Sequence, residues 1–342
     1  MFDEKPLIVP IFIPNQGCPH RCVFCDQEKI TSQPASPIDG QRVHELLDLA
    51  RRSTSFCERK HREVAFYGGT FASLPENTIR ELLGAVAPYL QEGIFHSVRV
   101  STRPDSLDEK KAALLKALGV STVELGTQSM DDEVLRMTRR GHSALDTERT
   151  VDLLMQHRFR VGIQLMPGLP GDSAETFSAT VQKVIRMKPD MVRLYPVIVI
   201  RGTELAQWVE SGKYQPLALE KAVRICAESC LRLEEAGIPV IRIGLMASVS
   251  LREKGQVLGG PWHGSFGHLV RSEIYQRRIE AFLPRPGETQ RITIRIPSKE
   301  IALLRGHRNA GIRRIEETTK TLIEGVLPDD SLPSGRIRVE TR

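Results

Sequence analysis

The stretch Leu7-Ile-Val-Pro-Ile-Phe-Ile-Pro-Asn-Gln-Gly-Cys-Pro-His-Arg-Cys-Val-Phe-Cys25 runs from an apolar, β-prone segment straight into three cysteines. A short continuous apolar run suits a strand buried on both faces, as in a parallel sheet, and Leu7–Ile13 is far too short to span a bilayer. The cysteines therefore fall at the carboxyl end of a first strand. Parallel barrels and doubly wound sheets hold their ligands at that end, so the reading depends on whether the rest of the chain repeats the arrangement.

It does. Strands are expected at 7–13, 63–67, 97–101, 121–126, 160–165 and 190–198, followed in turn by helices at 40–52, 75–90, 106–118, 144–157, 173–187 and 216–236. Helix-opening chemistry marks some of the starts, as in Ser106 with Asp108 and Glu109, or Asp172-Ser173 with Glu175. Chemically unusual residues gather after the strands: the cysteines, then Tyr67-Gly-Gly-Thr70, Ser101-Thr-Arg-Pro-Asp105, Glu124-Leu-Gly-Thr-Gln128, Gln164 with the following Met-Pro-Gly, and Tyr195 to Thr203. Such segments converging on one rim predict an α/β fold, a partial (βα)6-type parallel barrel, with Ile238–Ile243 as a further strand. The expected organisation is a core over 1–245, a loop, linker and lid region over 246–288, and a small basic α/β appendage over 289–342. The middle region holds Gly259-Gly-Pro-Trp-His263, His268 and Pro284-Arg-Pro-Gly287; the last holds a strand at 291–296, a helical stretch at 298–324 and a strand at 335–339.

Composition agrees with a globular chain of 342 residues, at 40% hydrophobic and 26% charged. The N-terminus lacks the succession of charged region, apolar stretch and cleavage site of a leader, so a cytoplasmic protein with no membrane partner is expected. Six cysteines in such a chain, three of them within eight residues, are no disulfide framework. Charge is uneven: residues 271–342 hold 15 Lys/Arg against 10 Asp/Glu, while residues 1–270 hold 33 against 32. A basic tail favours a polyanionic partner, and scattered solvated arginines give the same count.

Thiolates suit zinc and iron–sulfur centres, and Cys18-x3-Cys22-x2-Cys25 brings three within reach of one centre. A structural zinc site wants a fourth ligand. His20 and Asp26 are at hand without a familiar zinc spacing, and no second Cys-x2-Cys follows. Three cysteines alone suit a [4Fe–4S] cluster with one open iron.

These cysteines, the Phe24 before the last of them, and Tyr67-Gly68-Gly69-Thr70 resemble the radical S-adenosylmethionine (radical SAM) superfamily. The resemblance implies that S-adenosylmethionine chelates the open iron and that the glycine-rich turn contacts it through backbone. A reduced cluster would then cleave it to methionine and a 5′-deoxyadenosyl radical, with an electron donor such as flavodoxin or ferredoxin. Over most of residues 95–216 the chain also resembles the radical domain of the Elongator catalytic subunit, through Ser101–Asp105, Val123–Ser129, Arg140-Gly-His142, Leu165–Pro170, Leu194–Thr203 and Ser211–Tyr214. That resemblance implies that Ser101, Arg103, Glu124, Gln128 and Gln164 line the S-adenosylmethionine pocket, with His142 near it, and that RNA, tRNA above all, is the substrate. Elongator's wider spacing of its first two cysteines, its RNA-binding extension and its acetyltransferase domain have no counterpart in this chain, so the group added stays open. So do two other readings: a radical enzyme for a small molecule or tetrapyrrole, and a non-catalytic metal and RNA-binding protein.

The remaining features read modestly. Cys226 and Cys230, four apart, share a helix face and are expected to be buried small hydrophobes, and Cys57 is expected in a loop. Leu304-Arg-Gly306-His-Arg-Asn309-Ala-Gly-Ile312-Arg-Arg-Ile315 resembles the Ile-Gly-x-x-Gly-x-x-Ile-x-x-Ile signature of KH domains, with Asn309 in place of the second glycine.

Overall fold

Seven strands lie side by side in one sheet, and every neighbouring pair in it is parallel. The computed structural model describes residues 6–19 and 21–341. In chain order the strands are β1 (Leu7–Phe12), β2 (Arg62–Tyr67), β3 (Ser97–Thr102), β4 (Val120–Gln128), β5 (Arg160–Leu165), β6 (Met191–Leu194), β7 (Val199–Ile200), β8 (Val240–Ile243), β9 (Val257–Gly259), β10 (Arg291–Ile296), β11 (Leu322–Pro328) and β12 (Arg338–Thr341). The helices are α1 (Gln27–Thr31), α2 (Gly40–Arg51), α3 (Thr54–Glu58), α4 (Glu76–Gln91), α5 (Glu109–Ala117), α6 (Asp132–Met137), α7 (Ala144–Gln156), α8 (Ala174–Met187), α9 (Glu204–Glu210), α10 (Leu219–Glu235), α11 (Val249–Arg252), α12 (Phe266–Ile279), α13 (Ile301–Arg305) and α14 (Ala310–Thr319). The large sheet runs β1-β2-β3-β4-β5-β6-β8, so the expected seventh strand joins the sheet at its far edge. This curled parallel sheet with its crossover helices is the α/β partial barrel expected from the sequence.

Side-chain alternation explains the layers. Val64, Phe66, Val98, Val100, Val123, Val161, Ile163 and Val192 occupy one face of their strands and are all buried. The alternate positions Glu63, Arg99, Glu124 and Arg193 point to the other face, where they bond to one another across β2, β3, β4 and β6. Burying each aliphatic side chain contributes about 1.5–3 kcal/mol, so the apolar face holds the sheet and the inner face is left for chemistry. Helix starts follow local capping: Asp108 accepts from Lys111 N, so α5 begins at Glu109 rather than at Ser106, which lies in a preceding 3-10 turn. Ser143 and Ser173 form capping boxes with Asp146 and Thr176.

Two departures from the expected elements have local causes. The strand expected over 190–198 leaves the sheet after Leu194, next to Pro196, which has no N–H to give a ladder. The chain resumes as β7, which pairs antiparallel with β9. Cys57 lies exposed on the short helix α3, not in a loop.

The two edges of the large sheet are tied at the rim. Ser248 Oγ donates to Lys29 O at 2.7 Å, Ser250 N to Ser32 Oγ at 2.9 Å, and Lys29 Nζ to Arg201 O at 2.6 Å. Ile198, Ile200 and Leu251 pack with Ile30, Leu245, Val257 and Trp262 beside these bonds. The segment expected as a lid, up to Trp262, thus belongs to the wall of the barrel unit.

The chain divides into two compact units, residues 1–217 with 233–262, and residues 218–232 with 263–342. The second unit has a three-stranded sheet ordered β11-β10-β12, with β10 parallel to β11 and antiparallel to β12. Its core joins Tyr275 and Ile279 of α12 to Ile292, Ile294, Ile296, Leu304, Ile315 and Ile337. The helical stretch expected over 298–324 is broken at Gly306 (φ 65°), and Arg308 and Asn309 follow with φ of 50° and 61°. α13 and α14 are therefore separate helices joined by a tight turn, and residues after Thr321 form β11. Cys226 and Cys230 are fully buried on α10.

Candidate cluster and cofactor site

β1 ends in a loop that is knotted to the turn after β2. Ile13 N donates to Tyr67 O at 2.8 Å and Thr70 N donates to Gln16 O at 2.8 Å. Gly17 takes φ 71°, and a Cβ there would stand 2.2 Å from Thr70 O; one on Gly69 would stand 2.4 Å from Gln16 O and 2.6 Å from Ile13 O. Only glycines allow the cysteine loop and the glycine-rich turn to approach this closely. Gly69, expected to approach a ligand, also approaches the cysteine loop closely.

Each of the three cysteine sulfurs meets a different polar partner. Thr70 Oγ1 lies 3.3 Å from Cys18 Sγ, Arg140 Nη1 donates to Cys22 Sγ at 3.0 Å, and the Gln27 side chain bonds Cys25. Cys22 and Cys25 pack against an apolar shell of Val23, Phe24, Val134, Leu169, Val197, Val199, Leu205 and Ala206. Burial first, then the Cys22 and Cys18 sulfurs, pushes the Cys25 thiol up to about 12, so loading metal has to displace its proton. Among the described residues no three His, Cys, Asp or Glu side chains close on one ion. Asp26 caps α1 through Lys29 N at 3.1 Å and pairs with Lys29 Nζ at 3.6 Å, and His20 lies outside the described residues. Three half-buried, mutually interacting thiols with a polar partner on every sulfur and an apolar wall fit a cluster in which three irons each take one cysteine.

The residues expected to line the cofactor pocket separate into three places. Gln128 and Gln164 stand together at the rim, with Gln164 Nε2 donating to Gln128 Oε1 at 3.1 Å. Gln128 is buried and takes φ 68°, a left-handed backbone uncommon for any residue but glycine. Ser101 is half-buried and pairs in register with Glu124. Glu124 itself lies deeper, bound by Arg99 and, at 2.9 Å, by Arg193. Arg193 also donates to Tyr67 Oη at 2.6 Å and Tyr195 Oη at 3.1 Å, and Arg99 Nη2 reaches Glu63 at 2.7 Å. Arg103 is buried and holds Asp105 with two bonds of 2.9 and 2.7 Å. His142 is buried too, and its Nε2 donates to Thr127 O at 3.2 Å. Burial first, then the Arg140 charge, drops its imidazole from the ordinary 6.5 to about 3, so it is neutral. Sequence reading passed over Arg99, Arg193 and Gln27 and gave Arg140 no role. A signal existed for the first two, since a charged residue inside an apolar strand must find a partner.

A profile of the Radical SAM superfamily matches residues 12–184 of the chain, and one of the Radical SAM C-terminal domain matches residues 189–276. This chain belongs to the radical SAM superfamily. As a radical SAM enzyme it has the cofactors of that family, a [4Fe–4S] cluster and S-adenosylmethionine. It is 38% identical over 255 residues to the tRNA uridine(34) acetyltransferase of Methanocaldococcus infernus, covering 64% of this chain and 48% of that protein. It is 29% identical over 275 residues to the mitochondrial radical S-adenosyl methionine domain-containing protein 1 of Mus musculus, covering 75% of this chain and 62% of that one. The radical SAM chain therefore spans about half the length of the acetyltransferases it matches. Among solved structures, the Methanocaldococcus infernus Elp3 with an N-terminal deletion shares the fold at a TM-score of 0.61 and 22% identity, over 82% of this chain and 66% of that one. No helix among the described residues is long and apolar enough to cross a membrane.

Proposed function

We propose that this radical SAM enzyme ligates its cluster through Cys18, Cys22 and Cys25 and modifies RNA, tRNA in the first place. When bound and reduced, the cluster supplies the electron that splits S-adenosylmethionine into methionine and a 5′-deoxyadenosyl radical. The chain's own residues hold and shield that chemistry. Phe24 and the apolar shell keep water from the cluster, and the Tyr67–Thr70 turn fixes the cysteine loop. Ser101, Gln128 and Gln164 offer polar groups at the rim for the cofactor, while Glu124 acts from below through Arg99 and Arg193. Arg103 and His142 brace the ends of β3 and β4. A low-potential protein such as flavodoxin or ferredoxin delivers the electron, in a reducing compartment that keeps the thiols free, which we take to be the cytoplasm.

The observation that carries the RNA reading is the turn Gly306–Asn309. Arg305, His307, Arg308 and Asn309 are exposed there, between α13 and α14, which is the position of the nucleotide-clamping loop in a KH-like module over 289–342. The likeness to tRNA uridine(34) acetyltransferases supports the same reading. Arg313 donates to Arg308 O at 2.8 Å and Arg314 pairs with Glu273 at 2.6 Å, so these two support the unit and the test leaves them alone. The double variant Arg305→Glu, Arg308→Glu is expected to weaken tRNA binding and to make its salt dependence shallower by about one unit for each lost phosphate contact. S-adenosylmethionine cleavage without substrate should continue at the parent rate. Unaltered tRNA affinity at low salt would remove the turn from the binding surface and turn the search to small-molecule substrates.

A further inference from the structure

We infer that Arg140 is a positioning residue that raises the reduction potential of the cluster by donating a charged hydrogen bond to Cys22, with Thr70 and Gln27 acting in the same sense on Cys18 and Cys25. The inference rests on the ligand set proposed above. Arg140 follows α6, whose end is closed by Arg140 N donating to Leu135 O at 2.9 Å after Arg139 turns through φ 53°. One arm of its guanidinium, Nη2, is held by Gly126 O at the end of β4, and the other, Nη1, meets Cys22 Sγ at 3.0 Å. The fork is thus anchored at one tip and aimed at sulfur with the other. The side chain is buried, so water does not screen it.

The sign of the effect follows from charge. Adding an electron to a thiolate-ligated cluster makes it more negative, so a fixed cation bonded to a ligand sulfur stabilises the reduced form more than the oxidised one. Hydrogen bonds to the sulfurs and local charge are the means by which proteins set these potentials, and a charged donor acts roughly twice as strongly as a neutral one. Thr70, a neutral hydroxyl at 3.3 Å, is accordingly the weaker partner. The glycine knot gives Thr70 its place, since its own N–H is bonded to Gln16 O at 2.8 Å. A metal-bound thiolate can only accept, so groups from three separate segments would donate to three sulfurs, one to each.

The test is an electron-paramagnetic-resonance redox titration of the reconstituted, full-length protein without S-adenosylmethionine, with iron and sulfide content measured alongside. Arg140→Gln is expected to lower the equilibrium constant for one-electron reduction about tenfold, a shift of about 59 mV to more negative potential. Arg140→Lys, which keeps the charge and loses the fork, should shift it less, and Thr70→Val less than Arg140→Gln. Thr70→Ser should match the parent. Full iron content with an unchanged midpoint in Arg140→Gln would overturn the inference. If that variant holds no cluster, unchanged midpoints in both Arg140→Lys and Thr70→Val would overturn it. Parent protein that takes up no cluster would instead sink the ligand set, so the two failures are distinct.

Discussion

Glu124 Oε1 and Arg193 Nη2 meet at 2.9 Å in the interior of the barrel, and the same carboxylate is bonded by Arg99, which also holds Glu63. Two carboxylates and two guanidinium groups thus neutralise one another on the inner face. Glu63, Arg99 and Glu124 are each less than 5% exposed. Removing one partner would leave a buried charge with nothing to balance it, which costs about 3–5 kcal/mol. Glu124→Ala should therefore lower the stability of the protein by that amount in urea denaturation followed by circular dichroism. A wild-type midpoint in this variant would mean that water or a counter-ion already reaches the network.

Cys18→Ala, Cys22→Ala and Cys25→Ala should each abolish the visible absorption of the reconstituted cluster, because each thiolate is proposed to hold a separate iron. The Cys226→Ala and Cys230→Ala variants, buried in α10, should keep the parent's iron content. Any single variant of the first three with full iron and full cleavage activity contradicts the ligand set.

Gly17→Ala and Gly69→Ala should both reduce iron content as well as S-adenosylmethionine affinity, because either Cβ would stand within 2.4 Å of a backbone oxygen in the opposing loop. Gly68→Ala is the control: its Cβ has no neighbour nearer than 3.4 Å, so only the strain of φ 94° is added. Iron analysis and calorimetry separate the two cases. Equal iron in Gly69→Ala and the parent would mean that the turn can yield without disturbing the cysteines.

His142 should make stability fall with acid. Its folded-state value of about 3 lies below the ordinary 6.5, so the unfolded chain takes up a proton first as pH drops. Stability is thus complete above about pH 6.5 and is lost toward pH 3, with a slope of up to about 1.4 kcal/mol per pH unit from this group. His142→Gln removes that contribution, so denaturation midpoints followed from pH 7 to pH 5 should decline less steeply than in the parent. Parallel profiles would show that the histidine does not resist protonation.

The alternation of apolar strands with amphipathic helices, the cysteine spacing and the polar strand ends were all legible in the linear chain. Each depends on neighbours within a few residues, and periodicity and capping act over that range. The parallel barrel and the position of the rim follow from those signals, and the cofactors from the resemblance that the cysteines and the glycine-rich turn carry. What the chain does not display are contacts between residues far apart: Arg140 with Cys22, 118 residues away, or Arg193 with Tyr67, 126 residues away. Arg103 and Glu124 show the difference. Both read alike as cofactor-lining, yet folding sets Arg103 just past β3 on Asp105 and Glu124 in the middle of β4 beneath two arginines. Gly69 reads as a glycine for a ligand, and the need for glycine against the loop around Gln16 shows only in the packing. The helical stretch read over 298–324 missed the break at Gly306, although the KH-like signature with Asn309 at a glycine position already marked a loop there, and Arg308 and Asn309 take left-handed backbone between two short helices. Local propensity decides which elements form. Which buried charges meet is decided only when strand order and register bring distant positions to one face, since a charge taken out of water must be paired there.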